Sequence, residues 1–239
     1  MPRLFLRFRA DHLRERMDDP HCDPLRLANT YRAFAVINQL VSGWQRVFHR
    51  FLLPRITGGR ATLLDLGCGG GDIVRHLAFW AAQAGVKLEI TAVDPDERAL
   101  AFARSRSVPP GMTFRQACSR ELVRAGEKFD FVISNHLLHH LRAEEVSALL
   151  EDSRALAHRL VLHNDIRRSD LAYAAYSSSR LFFRNSFVAI DGSLSIRRSF
   201  IPGELLALAP PGCRVEVLAP FRLLLLCEPA SSCCDPSDG

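Results

Sequence analysis

The sequence is poor in lysine and has no long apolar run. Only Lys87 and Lys128 accompany 29 arginines among its 239 residues. No stretch of about 18 uninterrupted apolar residues is present to span a bilayer. Arginines interrupt the apolar residues near the start, which argues against a secretory signal. We therefore expect a cytoplasmic protein without a transmembrane segment, and contact with a membrane surface stays open.

Cysteine pairs with metal-ligand spacing are also missing. The seven cysteines are odd in number and include no C-x-x-C pair. This usage predicts neither a zinc site nor a disulfide framework, and it fits a reducing compartment. We expect no bound metal.

The positive charge is concentrated in the first quarter of the chain. Residues 1–60 hold eleven arginines and five acidic residues, a net charge of +6, while the remainder is close to neutral. A basic segment of this kind could contact nucleic acid or an anionic surface. Because arginine predominates over lysine throughout the chain, the excess indicates a general bias, and we do not expect a nucleic-acid partner.

The chain does contain a glycine-rich turn between a predicted strand and a predicted helix. Residues 61–66 have the apolar character of a strand, residues 67–71 read GCGGG with glycine at every second position, and a helical pattern begins at Asp72. Glycine permits a sharp turn and a close approach of backbone to ligand. The next predicted strand ends at Asp94, where a carboxylate can accept hydrogen bonds from both hydroxyls of a ribose. These two strand ends predict a nucleoside site.

The spacing of the glycines distinguishes two kinds of nucleoside site. Dinucleotide-binding folds carry G-x-G-x-x-G and leave the helix N-terminus open to a pyrophosphate. This turn reads G-x-G-x-G, and Asp72 follows it directly, where its carboxylate would repel a phosphate. A nucleoside without phosphates is favoured, with a nucleotide-binding protein that transfers no methyl group as an alternative.

At these residues the sequence resembles the class I S-adenosylmethionine-dependent methyltransferases, over the part of the chain between Thr62 and His140. The resemblance implies S-adenosylmethionine as the cofactor. It implies that the cofactor is bound by the glycine turn and by residues at the following strand ends, namely Asp65, Gly67, Cys68, Gly69, Gly71, Asp94, Pro95, Cys118, Ser119 and Asn135. Many members carry an acid that contacts the adenine amine where this chain has Cys118 and Ser119, so adenine recognition is the least defined part.

Strand and helix patterns alternate after residue 60, which predicts a parallel sheet with helices on both faces. With the resemblance, the expected fold is α/β: a Rossmann-like, seven-stranded, mostly parallel sheet with an antiparallel last strand, plus an N-terminal helical cap. We predict the cap over 1–60, the methyltransferase domain over 61–228 with an acceptor-side insertion over 166–200, and a disordered tail over 229–239. Within these, helices are predicted at 8–17, from Pro24 to near Gly43 and at 44–53, and a short fifth strand at 159–163.

Four histidines follow predicted strands. His136, His139 and His140 come after the fourth strand, and His163 ends the fifth. Open α/β sheets bind ligands at the carboxyl ends of their strands, and a histidine can remove a proton from an oxygen or carbon nucleophile near neutral pH. We expect a catalytic base among them, with His139 and His140 ahead of the other two. Packing against the sheet is the alternative for each.

The predicted insertion interleaves aromatic residues with arginines. Its members are Tyr173, Tyr176, Phe182, Phe183, Phe187 and Phe200 with Arg167, Arg168, Arg180, Arg184, Arg197 and Arg198. Such residues could bind an aromatic or polyketide-like acceptor, or they could form an amphipathic helix that packs on the cap.

The function expected from the resemblance is methyl transfer to oxygen or carbon of a small aromatic, polyketide-like or lipidic acceptor. This is the activity of the quinone-biosynthesis and natural-product methyltransferases that the chain looks most like. An RNA or protein methyltransferase is the alternative. Against it, residues 134–137 read SNHL, whereas amino-methylating enzymes commonly show (Asn/Asp)-Pro-Pro-aromatic there. The oligomeric state stays open.

Overall fold

A computed structural model describes residues 6–179, 183 and 185–229. Of the residues named above, Arg180, Phe182 and Arg184 lie outside these ranges, as does the predicted tail from residue 230 onwards. Nowhere in the described part of the chain is a helix long and apolar enough to cross a membrane.

Seven strands form a single sheet in the order β3-β2-β1-β4-β5-β7-β6. The strands are β1 (Arg60–Leu66), β2 (Lys87–Asp94), β3 (Met112–Gln116), β4 (Phe129–Asn135), β5 (Ala157–Ile166), β6 (Cys213–Leu218) and β7 (Arg222–Cys227). Strands β1 to β5 run parallel, and β7 is antiparallel to both β5 and β6. The predicted α/β fold with an antiparallel last strand is confirmed.

The central strands are apolar along their whole length because helices cover both faces of the sheet. On β1, Leu63 packs into one core with Phe131 and Ile133, while Leu64 packs into the other core with Val132. The helices that follow the strands are α3 (Asp72–Gln83), α4 (Glu97–Arg104), α5 (Ser119–Arg124), α6 (Ala143–Leu156) and, before β6, α9 (Pro202–Leu208).

The helical part ahead of the sheet begins with α1 (Pro24–Val41). The Asp23 carboxylate accepts hydrogen bonds from the backbone N–H groups of Leu25 and Arg26, and Pro24 occupies the first helical position, as the sequence predicts. A second helix, α2 (Trp44–Val47), continues as a π-helical turn to Leu52 and a 3₁₀ turn to Arg55. This helical run packs its buried side chains into the core beside α3.

The helix predicted over 8–17 is wrong. Residues 6–15 have no regular structure, and a single 3₁₀ turn covers Arg16–Asp18. The reason is that distant groups occupy several of its backbone donors: Ala10 N–H donates to the Arg197 carbonyl and Met17 N–H donates to Asp191. We call residues 6–18 the N-terminal segment.

The predicted insertion contains two helices, α7 (Asp170–Ser179) and α8 (Val188–Arg198), which pack against each other. Strand β5 runs further than the predicted 159–163, because its pairing with β7 continues from Val161 to Ile166. The longer strand carries Asn164 and Asp165 to the same edge as the end of β4.

One expectation about cysteine is also wrong. Cys213 and Cys227 form a disulfide between the facing ends of β6 and β7, with their Cα atoms 4.1 Å apart. Counting cysteines cannot detect this pair, because the β-hairpin register brings the two residues opposite each other. Cys22, Cys68 and Cys118 are free.

Candidate active site

A cavity of about 680 Å³ lies at the carboxyl ends of β1, β2, β4 and β5. The glycine turn and the end of β2 form one end of it. The N-terminal segment, α1, α7 and α8 cover the remainder. Ten of the predicted site residues line this cavity, namely Asp65, Gly67, Cys68, Gly69, Asp94, Pro95, Asn135, His136, His139 and His140.

The glycine turn adopts a backbone that other residues would resist. Gly67, Gly69 and Gly71 have φ values of 68°, 53° and 69°, in the left-handed region. A Cβ on Gly71 would lie 2.7 Å from the Phe114 ring, and one on Gly67 would lie 2.9 Å from the Leu137 side chain. Gly71 precedes α3 and does not line the cavity, so its role is to hold the turn.

Asp94 links the ends of β1 and β2. Its Oδ2 accepts a hydrogen bond from Gly69 N–H at 2.9 Å, and its Oδ1 accepts one from Asp96 N–H at 2.9 Å. Burial raises the pKa of Asp94 above its usual value. The carboxylate faces the cavity from the position where the sequence predicts a ribose contact.

Two further carboxylates surround the turn. Asp65 is buried, and its Oδ1 has no hydrogen-bond partner among the described residues. Burial, with the charges of Asp72 and Asp94, raises the pKa of Asp65 well above its usual value. Asp72 accepts a hydrogen bond from the Asn38 amide of α1 at 2.9 Å. An acidic, partly unpaired group of this kind favours a bound cation.

Cys118 and Ser119, the predicted adenine contacts, do not line the cavity. Cys118 is exposed, and its N–H donates to Glu121 at the start of α5. The Ser119 hydroxyl donates to Asp152 at 2.8 Å. The sequence did not single out Tyr31 of α1, which lines the cavity and lies beside Gly70. Its helical spacing on α1 is that of a core residue, so no local signal marks it.

Asn135 and His136 belong to a polar network around Arg222. The Asn135 amide oxygen accepts from Trp44 Nε1 at 2.9 Å and from Arg222 Nη2 at 3.1 Å. Arg222 Nη1 contacts His136 Nε2, and its Nε donates to Asn164 at 3.0 Å. Burial and the Arg222 charge lower the pKa of His136 well below its usual value. His136 is therefore a poor base.

His163 lies outside the cavity. It is fully buried, with Nδ1 2.7 Å from the Ser134 hydroxyl. Burial lowers the pKa of His163 to about 4, so the ring stays neutral near pH 7. His163 therefore packs against the sheet, which is the alternative that the sequence leaves open to a catalytic role.

His139 is held firmly by Asp165 of β5. Its backbone N–H donates to Asp165 Oδ2 at 2.9 Å, and its Nδ1 lies 2.6 Å from Asp165 Oδ1. Burial opposes ionisation of Asp165, but the charge and hydrogen bond of His139 hold the pKa of this carboxyl below its usual value. His139 Nε2 lies 3.5 Å from Glu15 Oε1.

His140 completes a cluster with residues of the N-terminal segment. Its Nδ1 lies 3.1 Å from Asp18 Oδ2 and its Nε2 lies 3.7 Å from Glu15 Oε2. Burial disfavours a charge on His140, but Glu15 and Asp18 outweigh it and raise its pKa to about 9. Glu15 is only 3% exposed and accepts from the Ser195 hydroxyl at 2.8 Å. We call Glu15, His139 and His140 the histidine cluster.

Long-range contacts hold the N-terminal segment over this cluster. Asp191 of α8 accepts from Arg16 N–H at 2.9 Å and from Met17 N–H at 3.0 Å, and burial raises the pKa of Asp191 to about 6. Arg198 donates to the His139 carbonyl at 2.9 Å. No sequence motif could have pointed to Glu15, because more than a hundred residues separate it from the two histidines.

The aromatic and arginine residues of the insertion are mostly structural. Among those the structure describes, Tyr176 alone lines the cavity. Arg168 pairs with Glu204 at 2.5 Å, and the Phe200 ring lies 4.0 Å from the Arg9 guanidinium carbon. Apolar side chains from the covering elements line the cavity instead, among them Phe34, Ile37, Val41, Val188 and Ile196.

A family model described as a methyltransferase domain matches residues 63–159. Ubiquinone biosynthesis O-methyltransferases from Rhizobium leguminosarum bv. trifolii and Azorhizobium caulinodans are 31% and 33% identical over 81 residues. In both cases the match covers 33% of this chain and 30% of the relative. The chain therefore matches less than a third of the length of these curated relatives.

Two solved structures share the fold at low sequence identity. Human N-acetylserotonin methyltransferase in complex with SAM superposes with a TM-score of 0.62 at 14% identity, over 87% of this chain and 57% of that one. The plantazolicin methyltransferase BpumL in complex with SAH superposes with a TM-score of 0.58 at 13% identity, over 87% and 95%. The matched model and the shared fold agree with the resemblance to the class I methyltransferases: residues 63–159 match a methyltransferase domain, and the described sheet has the fold of these structures.

Proposed function

We propose that the protein transfers a methyl group from S-adenosylmethionine to oxygen or carbon of a small, largely apolar acceptor. The observation that carries the proposal is the joining of two sites in one cavity. The glycine turn with Asp94 and the histidine cluster both line this cavity. A cofactor and an acceptor bound there would meet in a space that the N-terminal segment, α1, α7 and α8 also line.

The residues of the glycine turn suit this cofactor. The Asp94 carboxylate can accept from both ribose hydroxyls, while the glycines let the backbone approach the ligand. The unpaired buried oxygen of Asp65 suits the ammonium of an amino-acid tail. When bound, S-adenosylmethionine supplies an activated methyl group, so the protein has mainly to align the acceptor with it.

The cavity offers an acceptor both apolar side chains and the polar histidine cluster. Phe34, Val188 and Ile196 offer apolar contact, which suits an aromatic or lipidic molecule. The histidine cluster is placed to promote loss of the acceptor's proton. Among the four predicted histidines, His139 best fits that role. His140, with a pKa of about 9, already carries a proton near pH 7, Arg222 occupies His136, and His163 lies outside the cavity. The names of the ubiquinone and N-acetylserotonin methyltransferases support the same class of acceptor.

Calorimetric titration with S-adenosylhomocysteine tests the cofactor half of the proposal. We expect the wild type to bind one equivalent, and Asp94→Asn to bind at least about tenfold more weakly, since a hydrogen bond to a charged group contributes about 1.5–3 kcal/mol. The matched control is Glu89→Gln on the same strand, where the acid pairs with Lys87 away from the cavity. No binding by the wild type would contradict the proposal.

Labelled S-adenosylmethionine tests the acceptor half. Incubation with a lysate, followed by separation of small molecules from RNA and protein, should place the label in the organic-extractable fraction. Label in RNA or protein would instead support the alternative methyltransferase classes.

A further inference from the structure

The two histidines of the cluster are oriented in the same way. Each ring has its Nδ1 beside an aspartate, at 2.6 Å from Asp165 for His139 and at 3.1 Å from Asp18 for His140. In the neutral ring, a hydrogen bond donated by Nδ1 leaves the lone pair on Nε2, and in the protonated ring a metal ion that binds there displaces the Nε2 proton. Both Nε2 atoms face the Glu15 carboxylate, at 3.5 Å and 3.7 Å.

These distances are longer than strong hydrogen bonds and close to the spacing of ligands around a metal. Two nitrogen or oxygen ligands of a tetrahedral ion lie about 3.3 Å apart when each bond is about 2.0–2.1 Å long. One ligand atom from each of Glu15, His139 and His140 lies within 4.8 Å of the other two. An ion between them needs only small side-chain movements.

Groups outside the cluster support each of its three members. Asp165 and Asp18 hold the two rings, and the Ser195 hydroxyl donates to Glu15 Oε1 at 2.8 Å. Metal-ligating histidines usually donate their second ring N–H to a carboxylate or carbonyl, and ligating carboxylates are themselves hydrogen-bonded. Burial of the Glu15 carboxylate, at 3% exposure, adds a reason for a bound cation.

We propose that Glu15, His139 and His140 bind a divalent first-row transition-metal ion. Two imidazoles and one carboxylate suit zinc, cobalt, manganese or iron in the +2 state. The cysteine count could not reveal this site, because it contains no cysteine. Three protein ligands leave coordination positions open, and all three residues line the cavity.

The site also defines the acceptor, and this part depends on the proposed methyl transfer. An oxygen donor that binds at an open position would lose its proton to solvent more readily, because the ion lowers the pKa of the hydroxyl. A lone pair of that oxygen forms the bond to the methyl carbon, while the electron pair of the breaking carbon–sulfur bond stays on sulfur. A phenol, catechol or enol fits this chemistry.

Titration of the metal-free protein with Co²⁺ tests the site without any acceptor. We expect one tight site per chain with a visible absorption spectrum that lacks thiolate charge-transfer bands, which excludes binding by the free cysteines. Glu15→Gln and His140→Gln should each weaken binding by at least about 100-fold, and Asp18→Asn by about 10–100-fold, the range for supporting groups. His158→Gln, at an exposed position on β5, is the matched control and should bind as the wild type does.

The outcomes separate the metal site from the methyltransferase proposal. Asp94→Asn should bind Co²⁺ normally while it loses affinity for S-adenosylhomocysteine. Thermal unfolding and S-adenosylhomocysteine binding check that the cluster variants are folded. His140 is the more exposed of the two histidines, so it is the one replaced in this test. Unchanged Co²⁺ affinity in folded His140→Gln and Glu15→Gln, or no one-site binding by the wild type, would overturn the proposal.

Discussion

The two groups of residues that line the cavity, the glycine turn with Asp94 and the histidine cluster, are built in different ways. At the glycine turn the residues come from two consecutive strands, between Asp65 and Asp96, and backbone N–H groups make the key contacts. At the histidine cluster, side chains from the N-terminal segment, from the turn after β4 and from the end of β5 meet.

The difference shows which of the two groups depends on the packing of distant segments. Gly69 and Asp94 need only the parallel pairing of β1 with β2, two strands that are neighbours in the sheet. Glu15 reaches the histidines because distant groups hold the N-terminal segment in place, among them Asp191 and Ser195 of α8 and Arg98 of α4. We therefore expect the glycine turn and Asp94 to tolerate changes in α8 better than the histidine cluster does.

Replacing His139 should have a larger effect than any change at the glycine turn or in the N-terminal segment, and the effect should be on turnover. His139→Ala removes a group that promotes proton loss, so turnover should fall by about 10²–10⁴-fold. Affinity for S-adenosylhomocysteine should not change, because no hydrogen bond or ion pair among the described residues links His139 to the glycine turn. Steady-state kinetics and calorimetry measure the two quantities, with His12→Ala as an exposed control. If cofactor affinity falls in parallel, the two groups are not independent.

Adding a methyl group at the glycine turn should weaken cofactor binding, which replacement of His139 should leave unchanged. Gly71→Ala and Gly85→Ala both place alanine at positive φ, which costs about 1–2 kcal/mol of stability. Only at Gly71 does the new Cβ meet a neighbour, the Phe114 ring at 2.7 Å, which adds about 1–3 kcal/mol. Denaturant unfolding should rank Gly71→Ala below Gly85→Ala, and calorimetry should show weaker S-adenosylhomocysteine binding in Gly71→Ala alone. Equal cofactor affinity in the two variants would show that the turn tolerates a side chain.

Loosening the N-terminal segment should have the smallest effect. Asp191→Ala leaves the N–H groups of Arg16 and Met17 without their acceptor, at about 1–3 kcal/mol for each group that stays buried. We expect faster amide exchange in the segment and a higher KM for the acceptor, with unchanged S-adenosylhomocysteine affinity. Asp11→Ala, an exposed position in the same segment, is the control. An unchanged acceptor KM would mean that the segment does not shape the acceptor site.

The fold and the cofactor site could be predicted because their signals are local. Alternating strand and helix patterns predict the sheet, and three glycines followed by an acid at the next strand end predict the turn. Adenine recognition could not be predicted in this way: Cys118 and Ser119 follow β3 in sequence, but Ser119 turns to Asp152 of α6. The helix predicted at 8–17 failed for a related reason, because its backbone donors bind α8 and its surroundings.

By itself, the sequence determined the α/β class, the glycine turn and the carboxylate of Asp94, because backbone conformation and strand order follow from neighbouring residues. Only the tertiary structure decided which histidines face the cavity and what faces them. His139 and His163 look equivalent as residues near strand ends, yet one meets Asp165 and Glu15 while the other is buried beside Ser134. The physical reason is that side-chain environment depends on which distant segments pack together, and short-range patterns carry no record of that.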